Sequence, residues 1–274
     1  MANGMKPALY LAVAVALPVL GALGAKAGPA IPHHYSIRFA AQVDGRSFEC
    51  GATYNGLGTT RAAVTPEFLR LYVSGVRLIE SDGSEVPLTL DQDGVWQQRD
   101  VAFLSFEGAH AECASGSPQE RRVVSGTAPD GNVVGLRFTV GVPQSLDHSD
   151  ATIASSPLNL SDMFWSWQDG YKFFRFDGRV TGKSGARAFV FHLGSTGCSH
   201  GSGATRCAHS NAASIRLRFN PSQTIVLDVG KLLANVDLER GQGCMMMAGE
   251  VCSPELRSLG LAGGTQTVFA VRNR

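Results

Sequence analysis

The chain has 274 residues and a formal net charge of +1, with charged residues at only 17% and 32 glycines. A balance so close to neutral offers no electrostatic footprint for nucleic acid or an anionic membrane surface. Few charges with many glycines suit a turn-rich β protein better than a helical bundle.

At the N-terminus, Lys6 precedes the apolar run LYLAVAVALPVLGALG, which leads into Ala25-Lys26-Ala27. This pattern predicts a signal peptide over residues 1–27, so that the mature domain, 28–274, begins near Gly28. The run is short for a spanning helix, and Pro18 interrupts it. No cysteine follows it directly, which argues against a lipid anchor. The expected location is therefore the periplasm, or secretion to the cell surface. The cysteines agree with export. Cys50, Cys113, Cys198, Cys207, Cys244 and Cys252 are even in number and all lie in the mature part, which implies three disulfides in an oxidising compartment. Sequence alone does not fix their pairing. The simplest arrangement lets Cys198–Cys207 and Cys244–Cys252 each close a local loop and leaves Cys50 with Cys113.

The mature chain alternates short β-branched and aromatic runs with turn signals. HYSIRFAAQV, VAFLSF, NVVGLRFTVGV, YKFFRF, RAFVFHL, SIRLRF, TIVLDV and TVFAVR read as strands, several of them with one apolar face. Asp-Gly pairs begin at Asp44, Asp82, Asp93, Asp130, Asp169 and Asp177, and each is expected to turn the chain. Two short helices are predicted, one starting at Thr65-Pro66-Glu67 and one at Ser253-Pro254-Glu255, the latter stopped by Gly260. The expected fold is all-β: a single-domain two-sheet β-sandwich with short helices and disulfides.

Enzyme signatures are missing. There is no GxSxG, HExxH, phosphate-binding glycine loop or EF-hand loop, so no catalytic residue is expected. Cys198-Ser199-His200 with Cys207-Ala208-His209 has zinc-ligand types, but thiols outside the cytoplasm oxidise and a disulfide is the better reading. Met245, Met246 and Met247 offer soft thioethers, yet loop packing accounts for them. His192 follows a strand and should share a face with Val190, opposite Phe189 and Phe191. His148 lies in a loop after VGVP, and His33 and His34 lie near the mature N-terminus. The stretch MFWSWQDGYKFFRF at 163–176 carries seven aromatic side chains in fourteen positions, including Trp165 and Trp167. Core packing explains its phenylalanines. Two near-adjacent indoles are harder to explain, since each buried N–H needs a partner.

The order of these landmarks resembles the MbnP family, also described as four-cysteine "metallo-mystery pair" proteins. The landmarks are FECG at 48–51, RLYVSGVRLI at 70–79, VGVP at 140–143, SPLNLSDMFWSWQDGYKF at 156–173, FHLGSTGC at 191–198, Cys207, and CM at 244–245. The resemblance implies an exported β protein that binds copper and works with a MauG-like dihaem cytochrome c peroxidase. That partner oxidises a tryptophan of the copper protein to kynurenine, whose aryl amine joins imidazole nitrogens at the metal. On this sequence the metal ligands would be His148 and His192, and the modified residue Trp165 or Trp167. Asp147 precedes His148 where the family loop often reads Asn-His, and its carboxylate can orient the imidazole. A reading from another class is an aromatic-lined carbohydrate- or surface-binding sandwich, with exposed indoles stacking on sugar rings.

Overall fold

β1 (Pro32–Val43) sorts its side chains by alternation. Tyr35, Ile37, Phe39, Ala41 and Val43 are buried, while His34, Ser36 and Arg38 face outward. The computed structural model describes residues 32–108, 113, 120–201, 205–240, 243–246 and 252–273, together with 1 and 4. All of the expected signal peptide except residues 1 and 4 therefore lies outside the described residues.

After β1 come β2 (Arg46–Ser47), β3 (Tyr54–Leu57), β4 (Ala62–Glu80), β5 (Glu85–Pro87), β6 (Thr89–Leu90), β7 (Gln97–Gln98), β8 (Val101–Ser105), β9 (Val123–Pro129), β10 (Val133–Val140) and helix α1 (Gln144–Asp147). The second half holds β11 (Phe164–Ser166), β12 (Gly170–Tyr171), β13 (Phe174–Gly182), β14 (Gly185–Leu193), β15 (Thr196–His200), β16 (Thr205–His209), β17 (Ala213–Arg218), β18 (Thr224–Asp228), α2 (Val229–Leu233), β19 (Gly243–Met245), α3 (Ser253–Ser258) and β20 (Phe269–Arg272). One sheet runs β20-β18-β1-β9-β6, with β2 beside β1. The other runs β17-β10-β4-β13-β14-β19, with β3, β5 and β8 on β4, and β7 on β8. Phe138 of β10 meets Phe39 of β1 and Phe269 of β20 edge-on, so aromatic contacts join the two sheets across the core. The expected all-β sandwich is the fold observed. Among the described residues no helix is long and apolar enough to cross a membrane.

The disulfides pair as the local-loop argument expects: Cys50–Cys113, Cys198–Cys207 and Cys244–Cys252. The second joins directly opposite residues of the β15–β16 hairpin. Helix α3 also forms where expected, with Pro254 in its first turn and Gly260 at φ +81° just beyond it.

Two expectations are corrected. Thr65-Pro66-Glu67 does not start a helix but lies inside β4, where Thr65 and Pro66 pair with Arg179 and Gly178. Tertiary pairing overrides the local helix signal there. The proline sits where the β4–β13 register shifts, a place that tolerates its missing N–H. Asp177-Gly178 is likewise no turn, since both residues lie within β13 at that same irregularity. A Cβ at Gly178 would come within 2.8 Å of the Thr65 carbonyl oxygen, so the glycine answers to close strand approach.

The face of the larger sheet away from the core is also covered near β4, β13 and β14. The Tyr72 hydroxyl of β4 donates to the Pro157 carbonyl at 2.8 Å, which fastens the 156–173 segment over this face, and within the segment the Tyr171 hydroxyl donates to the Leu158 carbonyl at 2.5 Å. Most of the aromatic crowd is therefore packing: Met163, Tyr171, Phe173, Phe174 and Phe176 are all fully buried.

Candidate metal centre

Strand register assembles the site. Arg70 of β4 pairs with Arg175 of β13, Arg175 with His192 of β14, and His192 with Met245 of β19. Directly paired residues project from the same face, so these four form one row across four strands. Phe189 and Phe191 of β14 turn to the core, and His192 stands opposite them, as the alternation of β14 predicts.

His192 is buried at 6% exposure, and its Nε2 lies 2.5 Å from Oδ1 of Asp177. Its Nδ1 is buried and has no hydrogen-bond partner among the described residues. Burial pushes the Asp177 carboxyl up, but His192 and Arg175 outweigh that and hold it below the usual carboxylate range. The indole of Trp165 packs beside the imidazole, with ring centroids 6.4 Å apart. Its Nε1 is likewise buried and unpartnered among the described residues. Two buried ring nitrogens on neighbouring rings, without partners among the described residues, are costly unless a ligand compensates them.

Strand β11 covers Trp165 and Ser166 but stops before Trp167, and the two indoles separate. Trp165 packs against the core, whereas Trp167 lies beyond the end of β11 and is 55% exposed. His148 caps the C-terminus of α1 and meets the segment from another side: its Nδ1 lies 3.0 Å from the Trp167 carbonyl oxygen. Its Nε2 lies 3.2 Å from Sγ of Cys207 and 3.5 Å from Oδ2 of Asp147. Asp147 is buried, accepting from the Ser195 hydroxyl at 2.6 Å and the Tyr171 N–H at 3.0 Å. Burial raises its carboxyl above the usual range despite those bonds.

Among the described residues, the His, Cys, Asp and Glu donors that converge as a group are His148, Cys198 and Cys207. The two sulfurs are bridged to each other, so that cluster offers no thiolate. The structure thus brings Trp165 and His192 together, while His148 joins Trp167 and the Cys198–Cys207 bridge.

The residues around His192 fit a copper ion. A buried imidazole nitrogen with no hydrogen-bond partner among the described residues and a thioether paired in register with that histidine are borderline and soft donors, which copper favours, whereas the indole N–H as it stands offers no lone pair. Sequence reading assigned Met245 to packing. Its place beside His192 depends on parallel pairing of β14 with β19, which no local pattern announces. The Asp177–His192 contact depends in the same way on distant pairing, here of β13 with β14.

The sequence profile of the family described as MbnP matches residues 32–246. A solved structure, MbnP from Methylosinus trichosporium, is similar to this chain with a TM-score of 0.76 and 31% identity, over 88% of this chain and 98% of that one. No curated protein sequence matches. On the profile match and this likeness, the chain belongs to the MbnP family.

Proposed function

We propose that this protein is an exported, non-enzymatic copper-binding protein that acts in copper acquisition or handling, with a kynurenine-type site matured from Trp165. The observation that carries this reading is the pair of buried ring nitrogens, His192 Nδ1 and Trp165 Nε1, that have no hydrogen-bond partner among the described residues. Family membership supports a copper-related role, and three disulfides suit the periplasm or cell exterior. In this reading His192 and Met245 hold the copper beside the modified Trp165. His148 clamps the Trp167 backbone, and the Trp167 ring stays intact.

Maturation is assigned to a MauG-like dihaem cytochrome c peroxidase. The C2–C3 bond of the indole breaks, both carbons take oxygen from peroxide, and hydrolysis releases C2 as formate. A ketone remains at C3, and the former ring nitrogen becomes an aryl amine. Oxidation therefore turns a nitrogen that could only donate into one with a lone pair. The chain's own contribution is to hold that ring, half-buried, beside the His192 imidazole.

Peptide mass spectrometry of protein made with and without the partner tests this reading. Co-produced protein should carry one carbon fewer and one oxygen more at Trp165, an unchanged Trp167, and bound copper. His192→Ala and Met245→Ala should each lose copper with the fold intact, and His148→Ala should retain most of it. Copper-loaded protein with two unmodified tryptophans would reject the maturation, and undiminished copper in His192→Ala would reject the site.

A further inference from the structure

Beneath His192 runs a chain of charges that copper binding alone leaves unexplained. Glu107, 2% exposed, accepts from Arg70 Nε at 2.8 and 2.9 Å and from Nη2 at 2.5 Å. Arg70, 3% exposed, reaches on to Asp162 through Nη1. Asp162 also accepts from Arg175 Nη1 at 3.2 Å, and Arg175 grips Asp177 with Nε at 2.8 Å and Nη2 at 2.6 Å. Asp177 then meets His192. Both guanidiniums lie over the Phe68 ring, 5.1 and 4.2 Å from its centre, and Lys172 Nζ donates to the Asp162 carbonyl at 2.8 Å. The series runs Glu107–Arg70–Asp162–Arg175–Asp177–His192, alternating in sign until it reaches the imidazole.

Stability is a poor reason to build this. Burying ions costs several kcal/mol each before pairing, and apolar residues of similar volume often serve as well or better. Bidentate guanidinium–carboxylate pairs do fix geometry. The series ends on His192 Nε2, the ring nitrogen opposite Nδ1, which has no hydrogen-bond partner among the described residues.

We propose that Asp177 is a positioning residue of the metal centre. Its carboxylate accepts the Nε2 proton of His192 and fixes the ring, so that Nδ1 is left as the lone pair for the metal, while the Arg175–Asp162–Arg70–Glu107 series anchors the carboxylate. This is the carboxylate–histidine–metal arrangement, in which the outer carboxylate sets the tautomer and ring orientation. The inference rests on the copper reading for its purpose and on the hydrogen-bond series for its geometry.

The test uses the mature, partner-processed protein with Asp177→Asn, an isosteric change whose amide can present either a carbonyl or an N–H to the imidazole. Long-range 1H–15N spectra of metal-free, 15N-histidine-labelled protein report the His192 tautomer, and competition with a chromophoric cuprous chelator reports affinity. Wild type should show the Nε2–H tautomer. Asp177→Asn should show a mixture and bind copper about 10–100-fold more weakly. Arg175→Gln, which keeps Asp177 but frees it, should shift both readouts in the same direction by less, and it carries the test if Asp177→Asn does not fold. An unchanged tautomer and an affinity within about twofold of wild type in both variants would overturn the proposal. Wild-type protein with a locked Nε2–H tautomer but no copper affinity would defeat the copper reading. The loss of that tautomer in Asp177→Asn would still uphold the orienting role.

Discussion

A methyl group at Gly194, the first glycine of the HLGSTGC block, should push the Trp165 ring out of place without replacing any residue of the proposed site. A Cβ there would lie 2.4 Å from Cζ3 of Trp165, 3.0 Å from its Cη2 and 2.7 Å from the Tyr171 carbonyl oxygen. Ordinary contact begins near 3.4 Å, so the indole would have to retreat by about 1 Å, or the β12 backbone would have to move. Gly194 is not among the positive-φ glycines, so Gly194→Ala tests space and not backbone conformation. Overpacking of this kind costs about 1–3 kcal/mol. Each kcal/mol moves the Tm of a chain this size by roughly 2–4 °C. A site displaced by about 1 Å no longer meets the tolerance of about 0.5 Å that such constellations need, so copper retention should fall along with Tm. Thermal melting by circular dichroism and copper stoichiometry are the assays. Gly201→Ala, where a methyl would meet none of the described residues within 4 Å, is the matched control and should change neither. If Gly194→Ala keeps both Tm and copper, the Trp165–Gly194 contact does not set the position of the indole and the packing argument is wrong.

Denatured, unreduced protein should contain no reactive thiol, because every cysteine is bridged; thiol titration showing any would reopen the thiolate-site reading. Asp93 should contribute to stability in a pH-dependent way. Its Oδ1 accepts from the N–H groups of Val95, Trp96 and Gln97 at 3.0, 2.7 and 2.9 Å. Burial pulls this carboxyl up, but those bonds outweigh it and hold it below the usual range. A depressed carboxyl contributes stability that is fully present above its unfolded pKa and is lost as pH falls through the folded value. Asp93→Ala should therefore shrink the acid-side fall in denaturation midpoint, and an unchanged acid limb would refute this account.

Local pattern carried the sandwich and failed where distant pairing decided. β1 and β14 announce their faces by alternation, because a half-buried strand must sort its side chains at period two. His192 was legible as a strand residue off the apolar face. Thr65-Pro66-Glu67 carries a sound helix-start signal, but β4 gains more by lying between β10, β13 and β8 than a short helix could. Asp177-Gly178 carries a sound turn signal, and only the pairing of β13 with β14 shows that the aspartate faces a histidine fifteen residues on. Met245 is the plainest case. Nothing within ten residues of it points to His192, since the two meet through a parallel pair whose connection passes through β15 to β18.

That same register explains why aromatic residues crowd over one part of the larger sheet. The face bearing Arg70, Arg175, Asp177 and His192 has no apolar partner sheet, yet its ion pairs gain strength only when water is kept away. The 156–173 segment supplies the cover. Its Asp162 closes the gap between the two arginines, Tyr72 of β4 holds it down through the Pro157 carbonyl, and its own Tyr171 braces it internally through the Leu158 carbonyl. Trp165 then completes the cover at the end of the row, where His192 stops the run of charges. Beyond it Met245 sits on the edge strand β19 at 39% exposure. On the copper reading, this arrangement keeps the imidazole and indole nitrogens dry and leaves the soft thioether nearest to solvent. A thioether does not titrate in the physiological range and suits cuprous copper, so an exchange route at that edge would not need a protonated ligand to let the ion enter or leave.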